Sequence, residues 1–162
     1  MTKFLLTLHV LAAIIAVGPV TVAASMFPPA ARRAALAGGP RAAGEETGDA
    51  AVSTVGLLHR ICRVYAGLGV AVPLLGFATA QAMGVLGDGW LIASIVLTAV
   101  AAGILVAFVL PRQEEVVEQL TGGQPVERSR TVRLAMFTGV FNLLWATVTV
   151  LMIVRPGSTT GA

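Results

Sequence analysis

The chain has 162 residues, of which 56% are hydrophobic and 12% charged. An ordinary soluble domain carries about 25% charged residues, so this composition excludes a water-soluble globule and points to an integral membrane protein. The net charge of +3 does not signal nucleic-acid binding, because the basic residues flank apolar runs and do not cluster on one face.

The first run covers residues 4–26 and contains no formal charge. At ~1.5 Å per residue it is long enough to cross a hydrocarbon core of ~30 Å. Lys3, the run itself and Val22-Ala23-Ala24 before Ser25 share the outline of a secretory signal peptide. The run is longer than the apolar region of such a peptide, and it reads as a span. It holds one polar side chain that does not belong in lipid, His9. Helical steps of three and four from His9 reach Ala12, Ala16, Pro19 and Ala23. Small faces are where membrane helices pack, so His9 is expected to point into a bundle.

After the first run, Pro28 and Pro29 should stop the helix. Residues 30–36 suit a short helix ended by Gly38, Gly39 and Pro40, and residues 41–48 read as flexible. Asp49 is placed to cap a helix that continues into a second span, about 64–83. Residues 84–89 form a tight turn containing Asp88. The third span is about 90–110. Pro111 should then open a short polar helix that Gly122 and Gly123 stop. Pro125 is placed to open the helix that becomes the fourth span, about 134–154. Pro19 and Pro73 should kink the first and second spans.

The expected fold is therefore all-α, a four-helix integral membrane bundle in a single domain over residues 1–162. Arginine bias sets its direction. Arg32, Arg33, Arg41, Arg60, Arg63, Arg112, Arg128, Arg130 and Arg133 lie between spans one and two or three and four, against Lys3 and Arg155 on the other side. By the positive-inside rule both termini face out, and a long cytoplasmic loop joins helices 1 and 2.

With direction assigned, the spans can be compared by depth. His9, Met83 and Met152 all fall near the outer level. From Met152 inward, Thr149, Trp145, Asn142 and Thr138 form a semi-polar stripe. From Met83 inward, Ala80, Gly76, Pro73, Gly69, Ala66 and Cys62 form a small-residue stripe. Imidazole with thioether suits haem iron, as haem b, or copper as Cu(I). His9 with Met152 or Met83 is the ligand set expected for such a site, and Asn142 is its expected outer partner. The opposing expectation is packing, with methionine as a bundle filler and His9 hydrogen-bonded to Asn142 or a threonine. At the inner level His59 and Cys62 share a helical face and offer a second metal-ligand pair. Arg60 and Arg63 beside them disfavour a cation and suit lipid head groups. Cys62 is the only cysteine, so no intramolecular disulfide is possible.

No Asp, Glu, Lys or Arg lies inside the four spans as drawn, which argues against a proton-coupled transporter. There is no G-x-S-x-G, H-E-x-x-H or Walker loop, and the reading leans away from an enzyme.

The stretch LHVLAAIIAVGP, residues 8–19, resembles the first span of a family of uncharacterised bacterial integral membrane proteins. It is more distantly similar to copper-resistance-type membrane proteins and to HemJ-type protoporphyrinogen oxidases. The resemblance implies an α-helical bundle in the bacterial plasma membrane and, from the HemJ type, a haem-binding role for His9. The aromatics and basic residue that follow the histidine in that type are absent here, as is its intramembrane lysine. Two functions are expected. One is a non-enzymatic structural or accessory subunit, as a homodimer or within a larger membrane complex, packing through its small faces. The other is a haem- or copper-binding protein.

Overall fold

The computed structural model of the protein describes residues 2–37 and 45–157. These form six α-helices: α1 (Thr2–Ala37), α2 (Glu45–Leu68), α3 (Ala71–Met83), α4 (Gly89–Ile104), α5 (Leu110–Thr121) and α6 (Arg128–Val154). A π-helical turn, Leu105–Val109, joins α4 to α5. The helices stack into four rods, each long and apolar enough to cross a membrane: Thr2–Ala37, Gly48–Met83, Gly89–Thr121 and Arg128–Val154. α1 packs along α2 and α3 and also against α6. α4 packs along α6, and α5 lies beside α2.

The rods run further than the spans expected from the apolar runs. Pro28 and Pro29 lie inside α1 and do not end it. They remove two backbone donors, but Phe27, Ala31 and Ala34 are fully buried on either side of them, and that packing holds the helix through the pair. The expected separate helix 30–36 is the last part of α1. The stop at Gly38, Gly39 and Pro40, and the expected flexible residues up to Gly44, lie outside the described residues. α2 already runs at Glu45, so Asp49 is inside it and does not cap it.

The second rod breaks at Gly69 and Val70, one turn before Pro73. Proline withholds the N–H that would reach the carbonyl four residues back, which is that of Gly69. The Val72 N–H bonds the Gly69 carbonyl instead, at 3.1 Å. A similar accommodation precedes Pro111, which stands in the first turn of α5, the short helix expected to open there and to stop at Gly122. The Leu110 N–H reaches back five residues to the Leu105 carbonyl, and the widened turn carries the rod through the proline. Pro125 stays in the connection before α6, which opens at Arg128.

The turn over residues 84–89 matches expectation. Gly84 takes the left-handed conformation, φ 71°, that ends α3. The Val85 N–H bonds the Ala80 carbonyl, completing a Schellman closure. In this corner Trp90 Nε1 donates to Asp88 at 2.9 Å, and the Arg155 guanidinium lies 5.6 Å over the Trp90 ring.

The main core begins at mid-rod, with Val20, Leu105 and Phe141. It continues through Phe27, Val55, Leu58, Cys62, Val116 and Leu134 to the arginine-rich end. The opposite half of α1 leaves Phe4, Leu11, Ile14 and Ile15 exposed, and Val96, Leu143 and Ile153 are exposed on the other rods. This apolar belt suits lipid. Two ion pairs brace the arginine-rich end, Arg63–Glu114 at 3.9 Å and Arg130–Glu115 at 3.3 Å. Both are exposed, and such pairs add little stability.

Candidate functional site

Three of the residues expected at the outer level come together. His9 of α1, Met83 of α3 and Met152 of α6 line one chamber of about 30 Å³, with Trp90 and Arg155 at its wall. Helix direction explains the convergence. Side chains tilt toward the N-terminus of their helix. His9 therefore leans toward the end where the chain begins, while Met83 and Met152, at the last turns of α3 and α6, lean inward to meet it.

His9 is half-buried and held on two sides. Its Nδ1 lies 3.0 Å from the Val72 carbonyl. A carbonyl only accepts, so Nδ1 carries the proton and Nε2 keeps a free lone pair. A histidine fixed this way, by a backbone carbonyl on one ring nitrogen, has the arrangement that metal-ligating histidines use. The ring also lies on the bare backbone of Gly76. A Cβ built at Gly76 would stand 2.9 Å from His9 Cε1 and 3.3 Å from Nδ1. The two contacts lock α1 to α3.

Asn142 is neither His9's partner nor a wall of its chamber. Its Nδ2 donates to Ser25 Oγ at 2.9 Å, across the α1–α6 interface. The expected bond from His9 to Asn142 or a threonine is replaced by the bond to Val72, a backbone acceptor that leaves no trace in a residue pattern.

The inner pair also sits together, joined by a residue that spacing alone did not single out. His59 Nδ1 donates to Gln113 Oε1 at 3.3 Å, and Gln113 Nε2 donates to Cys62 Sγ at 3.6 Å. Gln113 comes from α5 and is fully buried. Its signal was present. Leu110, Gln113, Val116, Val117 and Leu120 follow helical spacing on one face of α5, with one polar member. The glutamine amide uses one oxygen and one nitrogen to close this network, so His59 and Cys62 are engaged with it. Met26 and Met136, at the same level, are exposed on the outside of the bundle. Gln113→Leu should cost about 1–3 kcal/mol, because it leaves the His59 N–H without its acceptor. A thermal melt in detergent checks this, and a melt at the wild-type temperature would contradict it.

Arg112, one residue away, stacks over Phe137 at 4.5 Å and Phe108 at 5.7 Å. Those two rings lie 5.0 Å apart, nearly parallel. The cation thereby ties the π turn to α6.

The geometry defines an all-helical protein of four membrane-length rods, with a histidine–methionine chamber at one end and a histidine–glutamine–cysteine network toward the other. Comparison of the chain with protein-family models, with curated proteins and with solved structures finds no match.

Proposed function

We propose that this is a multi-pass protein of the bacterial plasma membrane that binds a soft monovalent cation, Cu(I), at the outer chamber and performs no reaction of its own. Both termini face out, by the arginine bias. The observation that carries the reading is the convergence of His9, Met83 and Met152 on one chamber of about 30 Å³. Imidazole and thioether are ligands of choice for Cu(I). The volume suits one ion and is far too small for a haem plane. Arg155 at the wall disfavours a doubly charged ion. Its own charge is directed at the Trp90 ring and, through Nε, at the Met152 carbonyl at 3.3 Å.

The test is Cu(I) titration of the detergent-purified full chain against a chromogenic Cu(I) chelator. The wild type should bind one equivalent. Loss of a direct ligand should weaken binding at least as much as loss of a supporting residue, by ~10-fold or more, in His9→Ala. The doubly substituted Met83→Leu, Met152→Leu protein preserves volume and should lose affinity likewise. Cys62→Ser should not. A wild type that takes no copper, or a site lost with Cys62 alone, overturns the reading.

A second reading is an accessory subunit in which His9 only packs, alone or in a homodimer or larger complex. The Gly76 cradle favours it, because that contact and the Val72 bond give His9 a structural role without any ion. Under it, His9→Ala loosens the α1–α3 pair and the protein binds no copper.

A further inference from the structure

A second cavity, of about 330 Å³, opens between α1 and α6 nearer the arginine-rich end. Its walls include Pro28, Pro29, Ser25, Arg32, Thr138 and Asn142. Three polar side chains on the walls of this mainly apolar groove have hydrogen-bonding capacity left over. First, Arg32 is held by one atom, Nε, which donates to Thr131 Oγ1 at 3.2 Å. No carboxylate pairs with it among the described residues. Second, Thr138 is 3% exposed, and its hydroxyl has no partner. A threonine in a helix ordinarily bonds the carbonyl four residues back, as Thr147 and Thr149 do. Third, the Asn142 amide is oriented by its neighbours. Ser25 gives its hydroxyl proton to the Thr21 carbonyl at 2.7 Å, so Ser25 Oγ must accept from Asn142 Nδ2. Asn142 Oδ1 is then left buried without a donor.

These groups would suit a ligand that is anionic at one end and carries both oxygen acceptors and a hydroxyl at the other. Arg32 follows Ser25 by two helical turns, which separates the two ends by ~10 Å along α1. With the arginine-rich end at the cytoplasmic face, that is the span from head-group level to the level just below it. Inorganic phosphate would satisfy the cation but not reach Asn142.

We infer that the groove between α1 and α6 is a site for an anionic glycerophospholipid, with Arg32 on its phosphate and Thr138 and Asn142 on its polar glycerol region. The site requires α1 and α6 to lie in a bilayer and is independent of any metal at the outer chamber.

Native mass spectrometry of the full chain released from detergent tests this, with phosphatidylglycerol and phosphatidylcholine of equal acyl length added separately. Phosphatidylglycerol should be retained over phosphatidylcholine by about fivefold, the effect of one well-placed cation. Arg32→Gln should erase that preference. Thr138→Val, nearly the same shape, should lower retention in a protein that still folds. Arg33→Gln should leave retention unchanged, since Arg33 is not a wall of the groove. Equal retention of the two lipids, or equal phosphatidylglycerol retention by wild type, Arg32→Gln and Thr138→Val, overturns the inference. Displacement of the lipid by equimolar inorganic phosphate overturns it too, in favour of a free-anion site.

Discussion

Phe27→Ala should lower the unfolding free energy of the detergent-solubilised protein by about 3–5 kcal/mol, the cost of a large cavity in a core that cannot collapse. Phe27 is 0% exposed and sits among Ala24, Ala31, Val55 and Leu134. It lies directly before Pro28, where α1 has lost backbone donors and depends on side-chain packing to continue. Phe4→Ala is the control. Phe4 is 64% exposed, so its removal should change stability by less than ~0.5 kcal/mol. Denaturant titration of the two variants in one detergent measures both. Equal effects would mean that the arginine-rich end is not where the bundle is held together.

Gly76→Val should break the lock between α1 and α3. Its Cβ would meet the His9 ring at 2.9 Å, and the ring cannot retreat without leaving the Val72 carbonyl. Overpacking of this kind costs about 1–3 kcal/mol, with the lost hydrogen bond in addition. Because the clash is with one side chain, His9→Ala should partly rescue Gly76→Val. The double-mutant cycle should return a coupling of at least ~1 kcal/mol. Additive effects would show that the ring and the glycine are not in contact. Thermal melts of the four proteins supply the cycle.

Much of the bundle was legible in the chain because the bilayer leaves few choices. Uncharged runs near spanning length must be helices. The alanine face below His9 followed from helical spacing, and Ala16 and Ala23 are buried as that face requires. The level shared by His9, Met83 and Met152 followed from the alternating direction of the rods. What escaped was set by contacts distant in sequence. Pro28 and Pro29 obey a local rule that ends helices, yet buried neighbours carry α1 through them. The same override joined the expected short helix 30–36 to the first span as one helix, α1. The bond from Asn142 to Ser25 joins residues 117 positions apart. The bond from His9 ends on a backbone oxygen that every residue type carries. Gln113 could have been found from the helical spacing on α5, but its polarity made it look like part of a solvated face.

The central claim is that His9, Met83 and Met152 act together on one ion. X-ray absorption at the copper edge of Cu(I)-loaded, detergent-purified protein addresses it most directly. The spectrum should show one nitrogen and two sulfur scatterers around copper, with the sulfur contribution lost in the Met83→Leu, Met152→Leu protein. A shell of nitrogen and oxygen alone, or a sulfur signal that survives that double substitution and vanishes with Cys62→Ser, would contradict it.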